Sequence, residues 1–248
     1  MNNQKDLEGK VILVTGATSG IGNKIATLCV EYGAKVVFSG RSLEKLEKIR
    51  DIYGDNHQYI DADLTNDEDL EKLSELSSSI NGLIHCAGIM KTIPAKFVNR
   101  KSLDEIMNTN FYSSVILTST LLKKKKFLKG ASIIFISSIG GNYIASKGNA
   151  IYSASKGAVN AYAKVLALEL ANSSIRVNTL NPGMIKTELW NLNESSISAE
   201  QIAEDEKKYP LGYGETVDVA EASVFLLSNK SKWITGSNIV LDGGFTIQ

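Results

Sequence analysis

Two cysteines, two histidines and three prolines are all that 248 residues contain of those types, and each scarcity excludes something. Cys29 and Cys86 have neither metal-ligand nor redox spacing, and each lies in an apolar stretch. Buried small thiols fit that setting better than a disulfide or a nucleophile. His57 and His85 are too few and too scattered to build a metal site, so no metal is expected. Net charge is missing as well: lysine plus arginine come to 27, aspartate plus glutamate to 27. That balance points to neither nucleic acid nor an anionic membrane. The run Lys123–Lys126 is the main local exception. It reads as the solvated end of a helix, where cations suit the dipole, or as a docking patch for an anionic carrier. No segment is long enough to span a bilayer and the N-terminus carries no apolar signal core, which predicts a cytoplasmic protein with no membrane partner.

What the chain does have is rhythm. Short apolar runs fall at Val11–Val14, Lys35–Ser39, Gln58–Ile60, Gly82–Cys86, Ser132–Ser137, Ile175–Leu180 and Asn238–Leu241. Helical patterns lie between them, near 20–32, 42–53, 66–79, 102–126, 151–172 and 216–228. Such alternation predicts an α/β fold of the Rossmann type: a doubly wound parallel sheet of about seven strands, helices on both faces, right-handed crossovers. Without repeat, low-complexity tract or linker, residues 1–248 read as a single domain. Residues 184–210 break the rhythm and read as a polar, partly helical excursion inside it.

Two local patterns carry chemistry. Thr15-Gly-Ala-Thr-Ser-Gly-Ile-Gly22 follows the first apolar run at once and precedes a helical pattern through Ile25, Ala26, Leu28, Cys29 and Val30. Strand, glycine-rich turn and helix in that order suit a dinucleotide. The glycines let backbone approach a pyrophosphate, which then sits at the positive helix N-terminus. The second pattern is Tyr152-Ser-Ala-Ser-Lys156. Four residues on a helix bring both side chains to one face. A fixed ammonium there draws a phenol down from its ordinary ~10 toward the range where it exchanges protons. Tyr143-Ile-Ala-Ser-Lys147 repeats the spacing, but between Gly140-Gly141 and Gly148, a setting poor for helix. Tyr152 heads a strongly helical stretch instead and is the expected acid–base group, which leaves Tyr143 as a candidate for the substrate entrance.

In order along the whole chain, these residues resemble the single-domain short-chain dehydrogenases/reductases, nearest in pattern to 3-oxoacyl-carrier-protein reductases. Besides the glycine turn, Asp63-Leu64 matches the pair that borders the adenine, and Cys86-Ala87-Gly88 matches an Asn-Ala-Gly motif with cysteine in place of asparagine. Asn110, Ser138, Tyr152 and Lys156 match the catalytic tetrad, and Asn181-Pro182-Gly183 with Thr187 the segment near the nicotinamide. The resemblance implies that Tyr152 is general acid in reduction and base in oxidation. Lys156 would lower its pKa and hold the ribose, Ser138 would bond the substrate oxygen, and Asn110 would position a water leading to solvent. It further implies a cofactor bed of Gly16, Thr18, Ser19, Gly20, Ile21 and Gly22. Asp63, Leu64, Ala87 and Gly88 would continue that bed, and Pro182, Gly183, Ile185 and Thr187 would complete it beside Tyr152 and Lys156. Plainer readings exist. Ser138 can simply end a strand, Asn110 can cap or kink a helix with Asn108 as its rival, and Asp63 can cap a helix near Asn66 while Asp61 competes for the adenine.

An acidic residue where the second strand ends would accept from the adenosine ribose and repel a 2′-phosphate. This chain has Ser39-Gly40-Arg41-Ser42 there, with a planar cation in reach. NADP(H) is therefore expected over NAD(H), against the plainer reading of a surface arginine. The expected substrate is a small carbonyl compound or secondary alcohol. Met184, Leu189, Trp190, Leu192, Ile197 and Tyr209 would either line its pocket or pack the excursion onto the body. Oxoacyl thioesters, sugars and steroids all stay open, as does a non-catalytic dinucleotide sensor or scaffold. The resemblance also implies a homo-oligomer, dimer or tetramer, paired through the helices near 102–126 and 151–172.

Overall fold

The structure is a computed structural model and describes residues 5–76, 78–187 and 198–248. Its main sheet is built from β1 (Val11–Thr15), β2 (Lys35–Gly40), β3 (Gln58–Asp61), β4 (Ile80–His85), β5 (Phe127–Ile136), β6 (Arg176–Pro182) and β9 (Asn238–Leu241). All pair in parallel, in the order β3-β2-β1-β4-β5-β6-β9. A separate parallel pair joins β7 (Ile185–Lys186) to β8 (Gly214–Glu215). The helices are α1 (Gly20–Glu31), α2 (Leu43–Tyr53), α3 (Asp67–Leu76), α4 (Arg100–Met107), α5 (Ser113–Lys123), α6 (Ala150–Leu170), α7 (Ala199–Glu206) and α8 (Thr216–Leu227).

The apolar runs are continuous because both sheet faces are covered, and successive residues face opposite layers. Ile12, Val14, Val36, Phe38, Ile84, Ile134 and Leu180 pack with α1, α2 and α8. Leu13, Val37, Leu83, Ile133, Phe135 and Val177 pack with α3, α5 and α6. Local chemistry sets the helix starts: Ser42 Oγ accepts from Lys45 N, Asn66 Oδ1 from Asp69 N, and Asn99 forms a capping box with Ser102.

The seven-strand sheet expected from the sequence is present. Three details differ. The predicted helix over 102–126 is α4 and α5 joined by a π-helical turn at Asn108–Tyr112. β5 begins at Phe127 rather than Ser132, and its exposed first residues hide the apolar pattern. The β7–β8 pair has strands of two residues, too short to show a period. Of the 184–210 excursion, residues 188–197 lie outside the described residues, and with them Leu189, Trp190, Leu192 and Ile197.

Candidate active site

The strand order reverses between β1 and β4, so a crevice opens beyond their C-terminal ends. Gly16 leaves β1 there at φ +68, and a Cβ on it would fall 2.9 Å from Ala87 N. A Cβ on Gly22 would fall 2.3 Å from the Gly16 carbonyl oxygen. These contacts hold turn, helix and strand end closer than any side chain permits. α1 has no acidic residue in its first turn, and Ser19 makes no side-chain capping bond. Its N-terminus is thus left open to an anion. Across the crevice, the Thr187 methyl would lie 3.7 Å from a Cβ on Gly20. Asn23 Nδ2 donates to Ala17 O and Ala17 N to Ser39 O, tying the turn to β2.

Deeper in the crevice, Ser138, Tyr152, Lys156 and Asn110 come together. Ser138 ends the chain run after β5 and accepts from Gly140 N at 3.1 Å. Tyr152 and Lys156 lie in the first two turns of α6. A Cβ on Gly88 would fall 3.3 Å from Asn110 Oδ1 and 3.5 Å from Lys156 Nζ, so only glycine keeps this corner open. Asn110 is buried in the π-helical turn, while its rival Asn108 is exposed. Its amide clamps the chain after β4: Oδ1 accepts from Ile89 N at 2.8 Å, and Nδ2 donates to Ile89 O at 2.9 Å. Nδ2 also donates to Ser155 Oγ at 3.0 Å, and Ser155 Oγ donates to Tyr152 O at 2.7 Å. Ser155 went unnoticed in the sequence. It precedes Lys156 and lies three residues past Tyr152, so helical spacing alone points it toward the same corner.

Burial dominates the electrostatics of the pair. Lys156 Nζ donates to Ile136 O at 2.8 Å and stands 5.8 Å from the centre of the Tyr152 ring. Burial pushes the ammonium down to about 8. Burial also raises the Tyr152 phenol above its ordinary value, and a hydrogen bond from Ser138 pulls the other way. Lys156, bonded to Ile136 O, is not among the groups that move the phenol. Burial holds the Cys86 thiol at about 12, a neutral group beside the pair. Behind Lys156 a cavity of about 10 Å³, bounded by Leu64, Ala87, His85 and Asn110, has room for roughly one water.

At the nucleotide end, Asp63 Oδ1 accepts from Thr65 N and Thr65 Oγ1. These bonds, helped weakly by Arg41, hold its carboxyl below the usual range. The cap of α3 is Asn66, not Asp63, and Asp61 is exposed and paired with Lys72. Arg41 is exposed at the end of β2, and a Cβ on Gly40 would fall 2.6 Å from the Thr18 methyl. Pro182 is buried at the end of β6. Gly183 packs on Asp242 and Tyr209, and Ile185 is buried in β7. Tyr209 itself is buried, stacked on Phe245 at 4.5 Å and edge-on to Tyr213 at 5.0 Å. It packs the base of the excursion onto the body. Tyr143 is 40% exposed in a non-helical segment.

Fold and crevice define a dinucleotide-binding α/β protein with a tyrosine–lysine corner beside the cofactor bed. Residues 16–246 match the family model described as Enoyl-(Acyl carrier protein) reductase. The 3-oxoacyl-[acyl-carrier-protein] reductase FabG of Rickettsia prowazekii is 37% identical over 96% of this chain and 98% of its own. The NADP-dependent (R)-specific alcohol dehydrogenase of Lentilactobacillus kefiri is 35% identical over 98% of both. A short chain dehydrogenase family protein from Francisella tularensis superposes with TM-score 0.85 at 31% identity, over 96% of this chain and 99% of that one. The chain belongs to the short-chain dehydrogenase/reductase family and is an oxidoreductase acting on CH–OH groups with NAD(P).

Proposed function

We propose that the chain is an NADP(H)-dependent reductase of a carbonyl compound, reversibly a dehydrogenase of the secondary alcohol, with Tyr152 as proton donor and acceptor. The observation that carries this reading is the single corner shared by Ser138, Tyr152, Lys156, Asn110 and Gly88, with Asn110 and Lys156 buried at its base. The residues present fit a dinucleotide: the open N-terminus of α1, the cradle that a Cβ on Gly22 would fill, and the approach of Thr187 to Gly20. Gly16, Thr18, Ser19, Gly20, Ile21 and Gly22 would hold its phosphates. Asp63 and Leu64 would border the adenine, with Ala87, Gly88, Pro182, Gly183, Ile185 and Thr187 toward the nicotinamide. When bound, the cofactor supplies or takes the hydride.

Ser138 holds the substrate oxygen and Tyr152 protonates it as negative charge builds there. Lys156 is the buried cation facing the ribose side. Asn110 fixes the backbone that leads from the corner toward solvent. Arg41 and the bare Gly40, which Thr18 fills from the side, favour a 2′-phosphate, in keeping with the name of the Lentilactobacillus kefiri relative. The substrate is an oxoacyl thioester or another carbonyl or secondary alcohol of that size. The reading includes a cytoplasmic location and one domain, whose main sheet draws on residues 11 to 241. It also includes a homo-oligomer, dimer or tetramer, formed through α4–α5 and α6, where Tyr112, Ile116, Val165 and Leu168 are exposed. NADPH oxidation with a panel of ketoacyl thioesters, diketones and keto sugars tests the chemistry. Catalytic efficiency with NADH equal to that with NADPH would refute the cofactor assignment.

A further inference from the structure

Charge balances over the whole chain but not along it. From residue 76 to residue 168 the sequence holds twelve lysines and arginines against two acids, Asp104 and Glu105. Five of those cations, Lys123–Lys126 and Lys129, lie at the far end of the sheet where α5 ends and β5 begins, and Lys124 pairs there with Glu71 and Glu75. The loop after β4, α4 and the loop that leads into α6 wall the crevice, and over 86–122 and 137–156 they carry six cations against the same two acids. The two loops are fastened together at its mouth. Ile93 N donates to Gly148 O at 2.7 Å, and Thr92 Oγ1 bonds Asn149 Oδ1 at 3.3 Å. Asn149 stands at the N-cap of α6, and Tyr152 follows in its first turn. Cations flank the fastening: Lys147 precedes Gly148, Lys96 follows Pro94 by two residues, and Arg100 and Lys101 open α4.

Helix stability does not explain them. α2, α3, α7 and α8 each carry acid in the first turn, at Glu44, at Asp67, Glu68 and Asp69, at Glu200 and at Asp218. α4 and α6 carry none. Cations at the positive end of a helix are unfavourable and call for an anion. Lys91 and Arg100 find one in Glu105 at 2.5 Å and Asp104 at 3.7 Å. Lys96, Lys101 and Lys147 have no ion pair or hydrogen bond among the described residues, and Lys96 rests over the Phe97 ring at 4.9 Å. Apolar surface lies among them, with Met90 58%, Phe97 62% and Tyr143 40% exposed.

We infer that the substrate is an anionic carbonyl compound, its reacting carbon at Tyr152 and a carboxylate or phosphate held by Lys96, Lys101 and Lys147. This rests on the reductase reading and narrows its substrate class. Unpaired cations around a low-dielectric mouth concentrate anions there and speed their entry. The N-terminus of α6, which has no side-chain cap, adds to the same field.

Matched probes test it: levulinate with methyl levulinate for carboxylate, dihydroxyacetone phosphate with dihydroxyacetone for phosphate. Binding is measured by calorimetry on the protein saturated with NADP+, and turnover separately by NADPH oxidation. At about 25 mM salt, where screening is weak, at least one anion binds at least about tenfold tighter than its neutral partner, and the preference shrinks as salt rises. The triple change Lys96→Glu, Lys101→Glu, Lys147→Glu lowers the anion-to-neutral ratio at least about tenfold, by simple charge reversal. Lys45→Glu, on α2, leaves that ratio in place. Equal binding of both pairs, no binding of any probe, or a ratio unmoved in the triple variant overturns the inference. The two readings fail separately. Anion-selective binding without reduction of any probe counts against the carbonyl chemistry alone, whereas turnover without anion preference removes only the anion site.

Discussion

The two halves of the sheet bury different things. Around β1, β2, α1 and α2 the interior is almost wholly apolar, and its buried polar side chains are Thr15, Thr27 and Ser39. Around β5, β6 and α6 it takes in Asn110, Ser155, Lys156, Asn160, Asn178, Asn181 and the nearby His85. Unsatisfied atoms occur in both halves: among the described residues Ser39 Oγ has no partner in the first, and both Asn160 amide atoms and Asn181 Oδ1 have none in the second. The nucleotide half is shaped by close backbone approach and packs to near completion. The catalytic half keeps polar groups out of water at a cost in stability, and the proposed chemistry uses two of them, Asn110 and Lys156. Mutations should therefore lose function without stability in one half, and both together in the other.

The largest effect is expected at Tyr152. Tyr152→Phe removes the proton donor but leaves ring and volume, so turnover falls about a thousandfold or more while the melting temperature barely moves. An active Tyr152→Phe variant, measured by NADPH oxidation, would hand the acid–base role to another group. In the nucleotide half the counterpart is Gly22→Ala. Its methyl would lie 2.3 Å from the Gly16 carbonyl oxygen, so the turn must open. Stability should drop by about 3 kcal/mol or more, as for severe overpacking, with dinucleotide affinity falling alongside. Gly54→Ala is the control. It has φ +76 but nothing within 4 Å, so it should cost only about 1 kcal/mol of backbone strain. Similar urea midpoints for the two variants would show that the turn is not held by close contact.

Lys156→Met reverses the usual sign. The folded protein holds this ammonium at about 8, below the ordinary 10.5, chiefly through burial. Below pH ~8 the fold therefore bears the full penalty of a buried charge, and stability rises with pH between ~8 and ~10.5 as the folded form sheds its proton first. Methionine removes the penalty and fills the space, so the variant should be inactive yet more stable by about 2 kcal/mol. Its stability should also lose the rise above pH ~8. A Lys156→Met protein that melts lower than wild type would mean that the bond to Ile136 O matters more than the charge.

The same contrast governs what the sequence reveals. The turn at 15–22 and the helix from Tyr152 were legible because their signals are local: glycine spacing, apolar period, helical phase. The parallel sheet with helices on both faces followed from alternation, whereas the strand order β3-β2-β1-β4-β5-β6-β9 is set by tertiary pairing. The π-helical turn was not legible, because it is set by Asn110 gripping the Ile89 backbone across the crevice. Nor was the fate of Tyr209, whose stacking on Phe245 and Tyr213 depends on how the chain returns to the sheet. The Tyr–Lys spacing is legible as helical geometry, whereas the burial that moves both groups is not, because it depends on what the sheet and loops pack around them.

The smallest effect tests the polar interior itself. His85 is stacked on Phe135 at 4.7 Å, and its Nε2 bonds Thr118 Oγ1 at 2.8 Å. Burial pushes it down to about 3. An unfolded histidine titrates near ~6.5, so between those values the unfolded chain takes a proton that the fold refuses. Stability is then intact above pH ~6.5 and declines as pH falls, by up to about 1.4 kcal/mol per unit. His57 is also lowered, by burial and Lys35, and accepts from Val36 N, so it adds a smaller decline in the same direction from the nucleotide half. His85→Asn keeps a donor for Thr118 but cannot titrate. Between pH 7 and 5, urea midpoints should show wild type losing about 1 to 2 kcal/mol more than this variant. Parallel losses would mean that water reaches His85 and charges it within the fold, and the catalytic half would then be wetter than its packing implies.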